Sequence, residues 1–463
     1  MQKLFEKFRI NPYGLSGAGG ALAILTFPLS VSLSQLGLFI ALAGWAVDRA
    51  MGGKKLPFIA PRPLLFALGI YGAEVLSLLV HLPGAPHPLE AIRNAFKDEI
   101  KDVWLMGMAF WVISYSQDMT GRKRIYSLLK GSMLILIGTG FLSLFSKFRL
   151  SKIPYHMMYG WTGSADARFQ HFFTTLFPGR PWEINIFEPI GFMNTHLTYA
   201  ALLMFAIPFL FFRVLHPFVI SPRSFFKWRN LVYVALLAIA GLVLYVNNGR
   251  SAIIGLGSAL CLGFYSFVRN RWRKRALRLL PIALGGLLFL GVLTFFLPRV
   301  SEKMENAVVT LFGEDKHTDY QRIFVWQGSI DMIEKNPVFG VGPGRFKEEI
   351  NKTILRFSVE HPRLWYAYML VQRGHSHNDV FYLLAVAGPL SLLMYFLFFG
   401  DLLLLALTRS PSLRPDLWKW APFAMLFAGL FQCYFQDDET ILPLWLYTGL
   451  FLREAGKARE QAS

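Results

Sequence analysis

The run Arg373-Gly374-His375-Ser376-His377-Asn378-Asp379 stands where a long polar stretch meets an apolar one. A neutral imidazole near pH 7 can take a proton from a hydroxyl, so His377 or His375 is a candidate general base. The plainer reading of the pair is interfacial polar residues, and a metal pair is a further alternative. A metal centre needs three or four ligands. Asp379 would be a third and no fourth follows, so no metal is expected. Arginine offers a second chemistry, because its guanidinium is always charged and its forked donors suit phosphate oxygens. Arg250 lies in the short turn Asn247-Asn248-Gly249-Arg250-Ser251, Arg322 in Asp319-Tyr320-Gln321-Arg322-Ile323, and Arg299 just after an apolar run. Each is a candidate anion-binding group; snorkelling to an interface or a place on a solvated helix face is the plainer alternative. His196, Arg168, His171 and Arg180 are weaker candidates, and Asp437-Asp438-Glu439 reads as a solvated acidic loop.

The composition says what must hold these groups. The chain has 463 residues, 54% of them hydrophobic and 16% charged, against roughly 25% charged in soluble domains. With 43 phenylalanines the apolar mass exceeds what a soluble core of this length absorbs, and lipid is the medium that accommodates it. The net charge of +18 would suggest a nucleic-acid partner in a soluble protein. Here the basic residues sit in short loops between apolar runs, so no nucleic acid is expected. Cys261 and Cys433 both lie inside apolar runs, which argues against a disulfide framework or a cysteine metal site. The basic start (Lys3, Lys7, Arg9) before an apolar stretch imitates a signal peptide, but the many later spans make it an uncleaved first helix.

Runs of about 20 apolar residues, shorter where neighbours thin the bilayer, mark the spans. They fall near 14–32, 34–48, 63–82, 102–117, 125–145, 194–213, 231–247, 251–268, 279–297, 379–407, 420–435 and 440–453. The expected fold is therefore all-α: a single polytopic membrane domain over 1–463 with about 12 transmembrane helices. Alternate loops should be basic if the N-terminus is cytoplasmic. They are: Arg49 to Arg62, Arg122 to Arg124, Arg223 to Arg229, Arg269 to Arg278, Arg409 to Lys419, and the tail from Arg453. Both termini are then cytoplasmic. A smaller loop, 146–193, and a large loop, 298–378, between spans nine and ten, face the periplasm. In the large loop Ile323, Trp326, Ile330 and Ile333 share one helical face, and Gly340, Gly342 and Gly344 stop that periodicity. The Gly340–Gly344 segment reads as a turn, since it lacks the strand and helix of a dinucleotide fingerprint.

From about Gly191 to the end of the tenth span the sequence resembles the bacterial O-antigen ligase and O-antigen polymerase family. Gly249-Arg250-Ser251-Ala252 is similar to that family's arginine-bearing span. The run from Arg322 through Trp326 and Pro337 to Gly344 looks like its large periplasmic loop. His377-Asn378, nine residues and then Gly388 match its ligase spacing, while Ser391 stands where the family has a second glycine. The resemblance implies a lipid-linked glycosyltransferase at the inner membrane. Its donor would be a glycan on undecaprenyl pyrophosphate and its acceptor a hydroxyl of lipid A–core. His377 would act as base, with Arg250, Arg322, Arg299, His375 and Asn378 binding substrate and no cofactor required. A polysaccharide polymerase and a protein O-oligosaccharyltransferase share this chemistry and differ in acceptor.

A secondary transporter is the competing class, with midspan Glu74 and Asp401 in its favour. Transporters are usually built from repeated halves, and no repeat is visible here. Topology is directly testable. Reporter fusions at Lys54, Arg273 and Arg414 are expected to read cytoplasmic and fusions at Gly163 and Glu314 periplasmic. A cytoplasmic signal at Glu314 would contradict an external site.

Overall fold

The computed structural model describes residues 11–53, 56, 59–153, 157, 173–176, 179, 181, 183–220, 227–267, 317–369, 371, 373–408 and 417–460. The expected ninth span, the basic loop 269–278, Arg299, Arg168, His171 and Arg180 lie outside the described residues.

Helices α1 (Pro12–Thr26) and α2 (Val31–Ala50) form a hairpin, capped by Asn11 and Ser30. Lipid gives apolar helices no hydrophobic reason to associate, so small residues that allow close backbone approach decide the contact. A Cβ on Gly19 would lie 2.3 Å from the Ala41 nitrogen, and one on Gly37 would lie 2.4 Å from the Ala23 nitrogen. Ser16 ties the pair inward: its hydroxyl donates to the Ala41 carbonyl at 2.9 Å and accepts from the Trp111 indole at 2.9 Å.

Then follow α3 (Arg62–His81), α4 (Pro88–Asp98), a 3-10 stretch over Ile100–Met106, α5 (Gly107–Tyr115) and α6 (Met119–Leu144). The smaller loop contains an antiparallel hairpin of β1 (Phe173–Leu176) and β2 (Ile184–Phe187), with Phe173 opposite Phe187. The all-α expectation did not include it. Next come α7 (His196–Ile220), α8 (Trp228–Asn247) and α9 (Arg250–Phe267), then α10 (His317–Lys335), α11 (Phe346–Glu360) and α12 (Trp365–Met369). The chain ends with α13 (Asp379–Thr408), α14 (Ala421–Ala428) and α15 (Asp438–Glu460).

Among the described residues six helices, α2, α3, α6, α7, α8 and α13, are long and apolar enough to cross a membrane. The difference from about 12 expected spans has local causes. The fourth predicted run, 102–117, is split between the 3-10 stretch and the nine-residue α5. The run 420–435 is helical only over the eight residues of α14 and then becomes a loop. Helices α1 and α9 are apolar but short, and α15 carries charge through its last turns.

The basic ends collect on one side of the bundle. Arg62 pairs with Asp401 of α13, so Asp401 is an ion-pair partner near a helix end and not an isolated midspan charge. Arg122 lies 3.8 Å from Glu454, and Arg453 donates to the Gln117 carbonyl. The far ends of the same helices carry the rest of the architecture.

Helices α10 to α12 form a small cap whose core holds Phe324, Val325, Met332, Phe346, Ile350 and Ile354. The helix expected around Arg322 is there, but the face it buries is different. Phe324, Val325, Ser329 and Met332 point inward, whereas Ile323 and Ile330 are exposed. Of the apolar stripe counted from sequence, Ile333 packs against the cap core and Trp326 meets Phe381 of α13 edge-on at 5.9 Å.

Helix α13 is two helices joined at a break. Gly388 has φ 72°, a region that side-chain-bearing residues avoid. The carbonyls released there are taken by the Gly340–Gly344 turn: Val341 donates to Ala385 at 2.7 Å and Gly342 to Val386 at 3.0 Å. Ser391, the departure from the family spacing, donates to the Leu383 and Gly388 carbonyls at 2.9 and 2.8 Å. A Cβ on Gly388 would lie 2.1 Å from the Val338 oxygen. Gly388→Ala is therefore expected to lower stability by at least the ~1–3 kcal/mol of a strained backbone, read as a fall in thermal midpoint in detergent. Gly72→Ala, where a Cβ meets open space, is the control. Equal midpoints would refute the account.

Candidate functional site

Asp379 begins α13 and is 1% exposed. Its carboxylate Oδ1 accepts from the backbone nitrogens of Tyr434 and Phe435 at 3.0 and 3.1 Å, and its own N–H donates to the Gly429 carbonyl at 2.7 Å. This oxygen, weighed above as a third metal ligand, is spent on backbone. Asn378 is the helix cap, its Oδ1 accepting from Phe381 N at 3.1 Å. Its Nδ2 donates to the Leu430 carbonyl at 2.9 Å. One end of that amide caps the half-helix and the other docks it on loop 429–437.

With the helix start fixed, the two histidines follow. His377 has φ 52°, one of two described non-glycine residues with positive φ. An extended or helical run would set side chains 375 and 377 on opposite faces, and this turn brings them together instead. Their ring centroids are 4.3 Å apart, edge to face. The backbone N–H of His377 donates to Nδ1 of His375 at 3.3 Å. Nδ1 of His377 lies 2.7 Å from Oε1 of Gln432, itself 7% exposed.

The charge of Arg322 reaches both rings and the hydroxyl of Tyr434. Burial first, then His377 and Arg322, holds His375 down to about 4. Burial also holds His377 below its ordinary value, with Arg322 adding to this and the bond to Gln432 opposing it. Two neutral imidazoles beside a guanidinium can accept a proton and stabilise an anion in one place.

Arg250 is exposed at the first position of α9. The αL residue Asn248 ends α8, and Asn247 anchors the turn by donating to the Pro189 and His196 carbonyls. Its neighbour Ser251 bonds the Tyr434 hydroxyl at 2.7 Å, so the Arg250 turn abuts the loop that carries Gln432. The structure thus gathers His375, His377 and Asn378 within the field of Arg322 and sets the Arg250 turn, through Ser251, against the same loop.

Two features of this region escaped the sequence reading. Gln432 lies in a run taken for membrane span, where a lone amide in Phe431-Gln432-Cys433 was the available signal. Asp437-Asp438-Glu439 is a latch and not a solvated loop. Asp437 accepts from Thr198 at 3.2 Å, Asp438 from Gln35 at 3.2 Å, and Glu439 from Asn194 at 3.1 Å; Asp438 also lies 3.4 Å from Lys101.

Six helices of membrane length among the described residues, with His375, His377 and Arg322 near the start of α13, define a polytopic membrane protein with a candidate site at one end of its helices. Residues 234–396 match the family model described as O-antigen ligase. That segment runs from α8 past the break in α13 and contains Arg250, Arg322, His375, His377 and Gly388. The match bears out the resemblance and indicates glycan transfer of the ligase or polymerase type. No curated protein matches the chain.

The acidic latch makes a pH prediction. Burial pushes Asp437 up to about 6 and Glu439 up to about 7. A carboxyl that binds its proton more tightly folded than unfolded contributes stability that is present below the unfolded value, about 4, and is lost as pH rises through 6 to 7. Asp437→Asn keeps one of the two accepting oxygens and removes the titration. Its thermal midpoint relative to wild type is expected to rise between pH 5 and pH 8; a constant difference would refute this.

Proposed function

We propose that the chain transfers a glycan from undecaprenyl pyrophosphate to an acceptor hydroxyl, lipid A–core in the first instance, at the periplasmic face of the inner membrane. The observation that carries the reading is the juxtaposition of two neutral imidazoles with Arg322. The site sits at the end of the bundle opposite the basic helix ends, which supports the periplasmic assignment.

In the proposed step His377 takes the proton of the acceptor hydroxyl. That oxygen forms a bond to the anomeric carbon, and the bond from this carbon to the pyrophosphate oxygen breaks. The electron pair leaves with polyprenyl pyrophosphate. Arg322 and Arg250, with Arg299 as a third candidate, stabilise the charge gathering on the leaving group in a partly dehydrated site. His375 supports the base, and Asn378 fixes the helix start from which His377 projects.

The test is transfer by purified protein supplied with lipid-linked donor and acceptor. His377→Ala is expected to reduce transfer by about 10² to 10⁴ while donor binding persists. Arg322→Ala should abolish transfer, and Arg322→Lys should restore little if the two-pronged geometry matters. EDTA is expected to leave the rate unchanged. A fully active His377→Ala would end the base assignment, and loss with EDTA would favour metal chemistry.

A further inference from the structure

Resting on that reading, we propose that Gln432 is a positioning residue that fixes the tautomer of His377, so that Nε2 is the atom that accepts the hydroxyl proton. A neutral imidazole carries one ring proton, and the hydrogen bond made by one nitrogen decides which. Nδ1 of His377 faces Oε1 of Gln432 at 2.7 Å, and an amide oxygen only accepts. The proton is therefore on Nδ1, and the lone pair is on Nε2.

The neighbouring ring has the opposite assignment. Nδ1 of His375 receives the backbone N–H of His377 at 3.3 Å and must be unprotonated, which puts its proton on Nε2. Of the two adjacent rings, one presents a lone pair and the other an N–H. This separates their roles: His377 is the base, and His375 is a donor toward an oxygen of the substrate.

Gln432 is suited to this because it cannot turn away. It is buried, and the loop that carries it is pinned at Leu430 by Asn378 and at Tyr434 and Phe435 by Asp379. The half-helix that follows His377 thus holds, through Asn378 and Asp379, the loop carrying the partner of His377. Gln432 lies outside the segment matched by the family model, 234–396.

The experiment pairs kinetics with a readout that does not require activity. Full-length protein labelled with 15N-histidine, assigned with His377→Gln, reports the protonated nitrogen of residue 377. Wild type is expected to show Nδ1 protonated and Nε2 bare, and Gln432→Leu to lose that preference. In transfer assays Gln432→Leu is expected to lower kcat by about 10²-fold, the direction seen when a catalytic histidine loses its tautomer-fixing partner, with KM little changed. Gln432→Glu is expected to retain transfer and move the acid limb of the pH–rate profile upward by about one unit, because a carboxylate favours the imidazolium. A structural role alone would not move that limb.

Protonated Nε2 in wild type, or wild-type kcat in Gln432→Leu, overturns the proposal. If His377→Ala transfers normally while the 15N spectra are as expected, the proposed reaction fails and the tautomer assignment stands.

Discussion

A single buried carboxylate organises the outer end of this protein. Asp379 satisfies the amides of Tyr434 and Phe435, which would otherwise be unpaired inside the bundle. Non-helical backbone at membrane depth is tolerated only where protein supplies the missing hydrogen bonds. Without this acceptor the loop 429–437 has no reason to hold its shape there. The loop in turn holds Gln432 against His377, Tyr434 against Ser251, and the start of the acidic latch. The site is an outcome of how one stretch of irregular backbone is made acceptable in an apolar setting.

The same accounting governs the break in α13. A helix that stops at Gly388 exposes carbonyls, and those of Ala385 and Val386 are met by amides of the glycine turn from the cap. The two features noticed separately in the sequence, a glycine turn and a spaced glycine, are partners. Cap and membrane helices are joined through backbone hydrogen bonds at this seam, and Tyr382 contributes to the cap's own core.

Much of this was legible beforehand. Apolar runs and basic loops locate α2, α3, α6, α7, α8 and α13 closely, because burial in lipid leaves a dense signal. The motif residues His377, Arg322 and Arg250 came from types and spacing, and the charge of Arg322 does reach His377. Three things were not legible. The inward face of α10 depends on what the cap packs against, so a count of Ile323, Trp326, Ile330 and Ile333 found only part of it. The end of α14 at Ala428 depends on the hydrogen bonds of Asp379, and hydropathy, which reads 420–435 as one span, has no access to those. The convergence of the two rings depends on a positive φ at His377, which no periodicity anticipates.

The half-helix between the cap residue and the break is nine residues, Asp379 to Ala387. Its two ends are clamped to different things: loop 429–437 at one and the glycine turn at the other. A segment fixed at both ends behaves as a ruler. Each residue of an α-helix advances about 1.5 Å and turns about 100°, so an added or missing residue cannot be absorbed by sliding. It would swing the imidazole out of alignment with its amide partner or pull the turn from its carbonyls. The interval separating His377-Asn378 from Gly388 is thus a length standard, one that tolerates changes of side chain within it far more readily than a change in their number.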